Sequence, residues 1–503
     1  MTLLLAIDQG TTGSTALVMD LTGRTLGRAT VEFRQHFPEP GWVEHDPEEI
    51  WQSVVDAVAG ALASSRVSGS RIAAIGITNQ RETTLLWERA SGRPIHRAIV
   101  WQDRRTAPEC ARLRDDGHLE RVRGRTGLVL DPYFSGTKLA WLLDHVAGAR
   151  ARAAAGELAF GTVDSYLVHR LSGGAAHVTD VTNASRTLLM SLRSLAWDDE
   201  LLELFRVPRA VLPTIVPSAA RIATTRAFPS LPDGVPITGI AGDQQAALFG
   251  QACFGVGDAK CTYGTGAFVL ANIGAEPRAS RHGLLTTVAW QIGDEVTYAL
   301  EGSAFIAGAA VQWLRDGLGI IAAAKDIEPL ARSVASSCGV YFVPALTGLG
   351  APYWDADARG LITGITRGTT AAHLARATLD AIAHEVTDLL EAMSEDLGAP
   401  LGRMRVDGGA AANDLLMSEQ ARLAALVVER PRELETTARG AAMLAAVGGG
   451  LFSENGAAPR ASDKLRAASM SPLERAFTPE GAGDRAAARA GWKDAVARAR
   501  TRT

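Results

Sequence analysis

The stretch Leu3–Asp20, LLLAIDQGTTGSTALVMD, places an apolar run on each side of a turn rich in glycine and threonine. The two runs predict a β-hairpin, because Gly10 and Gly13 give the backbone the freedom that a tight turn requires. Asp8 allows a second interpretation, in which the turn is a phosphate cradle of N–H and hydroxyl donors and the carboxylate reaches a bound metal ion. Both interpretations stay open on this stretch alone, and the plain hairpin is the simpler one.

Two common phosphate-binding motifs do not fit this turn. A P-loop requires a lysine before its serine or threonine, and no lysine is present between Gly10 and Ser14. A Rossmann fingerprint requires a helix after the glycines, whereas Thr15–Met19 continues as strand. A phosphate-binding role for the turn would therefore differ from both.

The composition is that of an ordinary soluble globular protein. Of 503 residues, 47% are hydrophobic and 21% are charged, so we expect two domains, or three, with large cores. The formal net charge of −4 gives no electrostatic reason to expect nucleic acid or an anionic membrane as a partner.

Three features favour a cytoplasmic location. The N-terminus has no basic region before its short apolar run, unlike a signal peptide. No uncharged apolar stretch reaches the length of a membrane span, so we expect no stable membrane insertion. The cysteines are far apart and lack metal-ligand spacing, which fits a reducing compartment. They are Cys110, Cys253, Cys261 and Cys338.

The first half alternates helical and strand patterns, which predicts an α/β fold. Asp46 is an acceptor cap before Pro47 and two acids, and apolar residues then recur at helical spacing. Ile72–Ile77 and Leu85–Trp87 are predicted strands. The segment between them, Thr78–Thr84, is wholly polar. It is either a solvated hairpin end or a binding site, and by itself it favours the solvated end.

The second half repeats motifs of the first. Lys260–Ala271, KCTYGTGAFVLA, again sets a Gly-Thr turn between strand-like segments. Each half also has a strand that leads into a glycine turn and a helix, at Ile237–Leu248 and at Arg405–Met417. Two motif types in the same order predict two related α/β domains facing across a cleft. We place them at 1–250 and 251–503.

Several motifs together resemble one protein family. They are DQGTT (8–12), NQRETT (79–84), VWQDRR (100–105), DPYFSGTK (131–138), GIAGDQQAALFG (239–250), YGTG (263–266), TGLGAPYWD (347–355) and DGGAAAN (407–413). The chain resembles the FGGY carbohydrate kinases, and among them the glycerol kinases, from about Leu4 to Leu444. The resemblance implies two ribonuclease-H-like domains of the actin, hexokinase and chaperone ATPase superfamily, with a catalytic cleft between them.

The resemblance also implies that both halves bind ATP. In the family the first hairpin turn contacts the nucleotide phosphates, and adjacent N–H and hydroxyl groups in a tight turn form a concave donor surface. The second turn, Gly264–Gly266, would hold the phosphates from the opposite domain, and Asp8 would hold Mg²⁺ through water. The implied cofactor-binding residues are Thr11, Thr12, Gly13, Thr15, Thr265, Gly308, Gln312, and, at the adenosine end, Gly409 and Asn413.

An acceptor site for a small triol needs hydrogen-bonding groups and an apolar wall. The resemblance assigns the hydroxyl-binding role to Arg81, Glu82, Tyr133, Asp243 and Gln244, and the wall to Trp101 and Phe268. Taken without it, the two aromatic residues would be core packing, and the Arg-Glu pair would be a surface ion pair of little energetic value.

Asp243 is the expected catalytic base. Phosphoryl transfer is mainly positioning and charge stabilisation, with an acid accepting the proton of the attacking hydroxyl. Asp243 follows an apolar strand at a glycine-flanked turn that opens a helix, so its side chain is expected to project into the cleft. The alternative is an N-cap aspartate, a frequent role for this residue type before a helix.

The resemblance therefore implies a glycerol-phosphorylating enzyme. It would use ATP and Mg²⁺ to form sn-glycerol 3-phosphate in glycerol uptake and catabolism, as a homodimer or homotetramer. One alternative is a family member that acts on another polyol or on a ketose. A different class, an actin-like or chaperone-like ATPase, would have no need of the NQRETT and DPYFSGTK motifs.

Four features set expectations beyond the shared motifs. Thr15 stands where many glycerol kinases have arginine, and Arg422 and Arg439 depart from the family pattern at positions where we expect effects on packing or subunit contacts. Residues 484–502 predict a C-terminal helix, docked by an apolar face and with solvated arginines. In some bacterial glycerol kinases the corresponding stretch holds a glycine-rich loop that binds fructose 1,6-bisphosphate, or a histidine that phosphotransferase proteins phosphorylate. Here Ser218–Val235 has one glycine and no histidine, so the resemblance implies that neither form of regulation is present.

Overall fold

The computed structural model of the protein describes residues 2–453, 459–480 and 485–501. The strands up to residue 250 are β1 (Leu3–Gln9), β2 (Gly13–Asp20), β3 (Thr25–Glu32), β4 (Glu44–His45), β5 (Ile72–Asn79), β6 (Leu85–Glu88), β7 (Ala98–Ile99), β8 (Leu158–Gly161), β9 (Val178–Asp180), β10 (Met190–Ser191), β11 (Ala196–Trp197), β12 (Thr214–Val216), β13 (Ala219–Thr224) and β14 (Pro236–Gly242). The helices of this part are α1 (Pro47–Ser65), α2 (Ala107–Asp115), α3 (Leu119–Thr126), α4 (Ser135–His145), α5 (Ala149–Ala154), α6 (Val163–Leu171), α7 (Val181–Ala184), α8 (Asp199–Leu204) and α9 (Asp243–Gly250).

The rest of the chain has the same mixed composition. Its strands are β15 (Asp258–Tyr263), β16 (Ala267–Gly274), β17 (Leu285–Ile292), β18 (Glu295–Ala304), β19 (Tyr341–Val343), β20 (Leu361–Thr363), β21 (Arg403–Asp407), β22 (Val427–Pro431) and β23 (Leu473–Phe477). Its helices are α10 (Gly308–Asp316), α11 (Ile327–Arg332), α12 (Ala371–Leu397), α13 (Asp414–Ala424), α14 (Thr436–Gly448), α15 (Asp463–Ala467) and α16 (Arg485–Ala499).

One large sheet runs through both halves of the chain. In the described residues its strand order is β23-β22-β21-β15-β16-β18-β17-β13-β14-β5-β1-β2-β3. The two halves meet where β13 lies beside β17, and the register there is a single pair, Ala219 opposite Ile292. Within the sheet, this single residue pair of the described residues therefore joins the two halves.

Each half contains the predicted hairpin. In the first hairpin, β1 and β2 pair antiparallel, and Gly10 N–H donates to Gly13 O at 2.8 Å across the turn. In the second, β15 and β16 pair antiparallel, and Gly264 N–H donates to Gly266 O at 2.9 Å. The leading strand of each hairpin also has a parallel neighbour, β5 for β1 and β21 for β15. The predicted repeat of the Gly-Thr turn is present.

Helix α14, from the second half of the chain, packs on strands of the first half, including β14, β5 and β1. The helix also packs on α9, and two glycines allow these close approaches. A Cβ atom at Gly76 would lie 2.0 Å from the carbonyl oxygen of Ala441, and one at Gly440 would lie 1.8 Å from that of Ala246. Such distances are impossible contacts, so both positions require glycine. Arg439, one residue earlier, is buried and donates to the carbonyls of Gly23 and Met470, so this departure serves packing.

Local sequence signals predicted the start of helix α1 correctly but not the burial of the polar segment Thr78–Thr84. Helix α1 begins as predicted, with Asp46 accepting from Glu48 N–H at 2.9 Å and Ile50, Val54 and Val58 buried. The preference for a solvated end at Thr78–Thr84 is wrong, because every residue of that segment is buried. Burial of a polar segment requires partners; Nδ2 of Asn79, for example, donates to Oδ1 of Asn183 at 3.0 Å.

The C-terminal helix α16 docks as predicted, with Trp492, Ala495 and Val496 almost fully buried. The prediction that its arginines are solvated is wrong for Arg489, whose side chain forms a buried ion pair with Asp388. The predicted residues 484 and 502 lie outside the described residues. Within the described part of the chain, no helix combines the length and apolarity needed to cross a membrane.

Candidate active site

A small cavity of about 70 Å³ lies at the carboxyl ends of β5 and β14. These strands are parallel neighbours, with Gly242 opposite Asn79 at their ends, so the residues that follow them meet at one sheet edge. All the predicted acceptor residues line this cavity together with one residue of the first hairpin turn. They are Thr11, Arg81, Glu82, Trp101, Tyr133, Asp243, Gln244 and Phe268.

Asp243 is the first residue of α9, and the N-cap position belongs to Gly242. The N-cap alternative is therefore wrong. The Asp243 carboxylate accepts from Gln244 N–H at 2.7 Å and is one-third exposed, at 33%. Its Oδ1 lies 3.1 Å from Nε of Arg81. The free carboxylate surface faces the cavity, where it can accept a proton from a bound hydroxyl.

Arg81 and Glu82 are deeply buried, with side chains 2% and 1% exposed, so the surface-pair alternative is wrong. Glu82 adopts φ +60°, in the left-handed region, which turns the chain sharply after β5. A Cβ atom at Gly242 would lie 2.6 Å from Cγ of Arg81. The glycine before Asp243 therefore makes room for the arginine stem.

Trp101 connects the acceptor cavity to the first hairpin turn. Its Nε1 donates to Oγ1 of Thr11 at 3.0 Å, and its ring meets that of Tyr133 edge-on with centroids 5.6 Å apart. Phe268, on β16, reaches the cavity from the second half of the chain. The aromatic wall thus stands beside the turn predicted to hold phosphate, and core packing alone does not describe these residues.

Asp8 lies opposite Thr15 in the first hairpin. Burial, followed by the negative charges of Asp243 and Glu435, raises the pKa of Asp8 to about 8, against a lowering effect of Arg28. The negative charge of Asp243 therefore acts on the Asp8 carboxylate, and a bound cation would relieve this repulsion. The hydroxyl of Thr15, the residue opposite Asp8, is hydrogen-bonded to that of Thr30 on β3, with the two Oγ1 atoms 3.0 Å apart.

The tip of the first turn is open to solvent. Thr12 is exposed and Gly13 is half-buried. A Cβ atom at Gly13 would lie 2.8 Å from the carbonyl oxygen of Val31, so glycine is needed for the approach of β3. The carbonyl oxygen of Thr11 accepts from Nε2 of Gln35 at 2.9 Å, which ties the turn to the segment that follows β3.

A larger pocket of about 460 Å³ lies in the second half. All the predicted nucleotide-binding residues of that half line it, namely Thr265, Gly308, Gln312, Gly409 and Asn413. The second hairpin turn is bound to α10 there, since Gly308 N–H donates to Gly264 O at 2.9 Å. Asn413 uses Oδ1 to cap α13, accepting from Leu416 N–H at 2.9 Å. Its Nδ2 is left to donate to a ligand.

Three buried charged residues next to these sites were missed from the sequence. Arg186 and Glu301 hold Arg81 and Glu82, and Lys260 Nζ donates to Oε1 of Gln244. The available signal was a lone charge in an apolar strand, as for Glu301 in TYALEGSA. A charge buried there requires a partner, although the sequence does not say which one.

The chain matches two family models. Residues 3–250 match the N-terminal domain, and residues 259–449 the C-terminal domain, of the FGGY family of carbohydrate kinases. It is 59% identical over 501 residues to a glycerol kinase of Aromatoleum aromaticum, covering 99% of each chain. It is 57% identical over 498 residues to a glycerol kinase of Myxococcus xanthus, covering 98% of this chain and 99% of that one.

Solved structures share the whole fold. The crystal structure of Plasmodium falciparum glycerol kinase with ADP is similar with a TM-score of 0.93 and 32% identity, covering 99% of this chain and 98% of that one. The fold of xylulose kinase from Rhodospirillum rubrum is similar with a TM-score of 0.86 at 23% identity over 98% of each chain. The predicted two-domain kinase fold is confirmed, and the chain belongs to the FGGY family of carbohydrate kinases.

Proposed function

We propose that this protein is an ATP-dependent glycerol kinase that forms sn-glycerol 3-phosphate and ADP. The observation that carries the proposal is the lining of the small cavity. Hydrogen-bonding side chains and two aromatic residues surround a volume of about 70 Å³ beside the first hairpin turn. This volume suits a short polyol better than a sugar. The full-length relatives named glycerol kinase support the same acceptor.

Asp243 acts as the general base. The attacking hydroxyl of glycerol donates its proton to the Asp243 carboxylate, whose Oδ1 is oriented by Arg81 Nε at 3.1 Å. Nη2 of Arg81 has a second N–H beyond the one given to Glu301, which makes only a long contact of 3.4 Å to Tyr133 and can turn to a hydroxyl. Glu82 and Tyr133 supply further polar groups for the hydroxyls, and Trp101 and Phe268 cover the carbon skeleton. A site that hydrogen-bonds each hydroxyl discriminates strongly, because an acceptor without one leaves buried polar groups unpaired.

The nucleotide lies with its adenosine end in the larger pocket, between Gly308, Gln312 and Asn413, and its phosphates reach the two hairpin turns. Donors at Thr11–Gly13 and at Thr265 approach the phosphates from opposite sides. Trp101 and Thr11 are hydrogen-bonded to each other, which sets the distance between acceptor and phosphate. Positioning of this kind supplies much of the catalysis of phosphoryl transfer.

Mg²⁺ is the expected metal, and the described residues fit it. They contain no cluster of three or more histidine, cysteine or acidic side chains, but Mg²⁺ is commonly held by one or two carboxylates with waters and phosphate oxygens. Asp8, whose pKa is raised in part by Asp243, would hold it through water. The bound ion would neutralise charge on the transferred phosphate.

The test is an acceptor panel. The protein is incubated with Mg·ATP and glycerol, erythritol, xylulose, ribulose or gluconate, and ADP release is followed with and without each acceptor. We expect glycerol to give the highest kcat/KM and turnover without acceptor to be slower by at least about 10²-fold. A higher kcat/KM for a ketose, or acceptor-independent ATP hydrolysis at the full rate, would contradict the proposal.

A further inference from the structure

Four charged side chains form a closed ring of contacts beneath the acceptor cavity. Nη1 and Nη2 of Arg81 donate to Oε2 and Oε1 of Glu301 at 2.6 and 3.1 Å. Arg186 donates through Nη2 to the same Oε1 at 2.9 Å and through Nε to Oε1 of Glu82 at 2.6 Å. Oε1 of Glu82 lies 3.8 Å from Nε of Arg81, which closes the ring. We call these four residues the ion ring.

The ion ring is buried and carries no net charge when both glutamates are ionised. None of its side chains is more than 2% exposed. Burial raises the pKa of Glu301, but Arg186 and Arg81 outweigh burial and lower it to about 2. Burial dominates at Glu82, whose pKa is raised despite the same two arginines. Glu301 is therefore the firmly ionised partner of both guanidinium groups.

The ion ring divides into two members that line the cavity and two that do not. Arg81 and Glu82 line it, whereas Arg186, which follows α7, and Glu301, on β18, stand behind them. Glu301 belongs to the second half of the chain. Arg81, in the first half of the chain, is thus held in place by Glu301 of the second half.

The contacts fix the direction in which each lining residue points. Because Glu301 takes both terminal nitrogens of Arg81, the guanidinium cannot rotate, and its Nε remains directed at Asp243 at 3.1 Å. Because Arg186 takes Oε1 of Glu82, the second oxygen, Oε2, is left to accept from a bound hydroxyl. Buried hydrogen-bonded networks hold side chains rigidly, although Nη1 of Arg186 has no hydrogen-bond partner among the described residues.

We propose that Glu301 and Arg186 are positioning residues that set acceptor affinity by fixing Arg81 and Glu82. This inference rests on the proposed function, in which the acceptor is glycerol. The second half of the chain thereby contributes to acceptor recognition through Glu301 as well as through Phe268. A displacement of about 1 Å in such a site costs on the order of 10²-fold in activity.

The first test variant is Glu301→Gln, which keeps the size and one acceptor oxygen but removes the charge and the two-pronged contact. We expect the KM for glycerol to rise about 10- to 100-fold while the KM for Mg·ATP stays within about twofold. The matched control is Asp388→Asn, at a buried ion pair with Arg489 that includes no residue lining the cavity. It should lower the Tm without changing the KM for glycerol.

Two further variants show whether a raised KM for glycerol comes from lost positioning or from a change in buried charge or in stability. Arg186→Lys keeps the charge but replaces the two nitrogens that bind Glu82 and Glu301 with a single one, so it should raise the KM for glycerol about tenfold or more. It carries the test if Glu301→Gln does not fold. The double variant Glu301→Gln/Arg186→Gln removes one charge of each sign. We expect its KM for glycerol to remain raised by about tenfold or more.

Three results would overturn the inference. They are a KM for glycerol within twofold of the wild type in Glu301→Gln or Arg186→Lys, an equal rise in the KM of both substrates, and recovery of the glycerol KM in the double variant. Wild-type turnover is measured first and tests the proposed function separately. If the wild type phosphorylates another polyol of the panel in place of glycerol, the proposed function is wrong. The KM of each variant relative to that of the wild type, measured with that polyol, still tests the ion ring.

Discussion

Nε of Arg81 lies 3.1 Å from Oδ1 of Asp243, and this contact joins the end of β5 to the first turn of α9. The arginine therefore orients the proposed base without using its terminal nitrogens, which are bound to Glu301. The Asp243 carboxylate is thus held by Arg81 on one side and is open to the cavity on the other. Its role can be tested without disturbing the helix.

Asp243→Asn keeps the size of the side chain and removes the proton acceptor. We predict that kcat falls by about 10²–10⁴-fold, the usual contribution of a general base, with the Kd for glycerol changed much less. Steady-state kinetics and isothermal titration calorimetry with glycerol measure the two effects. Asp199→Asn is the matched control, since Asp199 is the first residue of α8 and is 87% exposed. A near-normal kcat in Asp243→Asn would remove Asp243 from catalysis.

Thr15→Arg tests whether a missing cation limits the rate. Thr15 is opposite Asp8 in the hairpin, so an arginine there would bring a positive charge to the phosphate side of the cleft. We predict a higher kcat and an unchanged KM for glycerol, because the gain appears in the transition state. Thr30→Arg, on the neighbouring strand, is the control for added charge. An unchanged or lower kcat would show that the site is already compensated, for example by Arg28, or excludes arginine.

Activity should be insensitive to fructose 1,6-bisphosphate. In Ser218–Val235 the single glycine, Gly234, already donates its N–H to Thr225 O at 2.8 Å, and Arg221 is exposed on β13. Exposed cations without a preformed cradle bind an anion weakly and are screened by salt. The check is a titration at low ionic strength that follows rate and oligomer size together. Saturable inhibition coupled to assembly would refute this reading of the segment.

Trp492→Ala should destabilise the protein by about 3–5 kcal/mol, because it opens a large cavity under α16. The indole is fully buried, stacks on His384 with centroids 5.0 Å apart and donates to Oδ2 of Asp388 at 2.8 Å. Urea unfolding measures the free energy, and glycerol kinetics below the transition should be unchanged. A loss below about 1 kcal/mol would mean that the α16 contact contributes little.

The sequence predicted the parts of the fold that depend on neighbouring residues. The hairpin turns and the cap at Asp46 follow from local chemistry, and the apolar stripe of α1 follows from its periodicity. The burial of Thr78–Thr84 was not predictable in this way, because its partners come from remote segments. Arg186, for example, lies 104 positions after Glu82.

The same distinction applies to the site. Family motifs identified the residues that line the two pockets, and the structure brings them together. Arg186, Lys260 and Glu301 belong to no motif singled out for its chemistry. Their importance appears only when tertiary packing places them against Glu82, Gln244 and Arg81.

The most direct test of the account is the stoichiometry and identity of the product. Wild-type protein is incubated with Mg·ATP and glycerol, ADP is quantified, and the product is titrated with a dehydrogenase specific for sn-glycerol 3-phosphate. The account predicts one sn-glycerol 3-phosphate for each ADP, with turnover that requires glycerol. ADP formed without an equal amount of this product, or a product that the dehydrogenase does not oxidise, would contradict it.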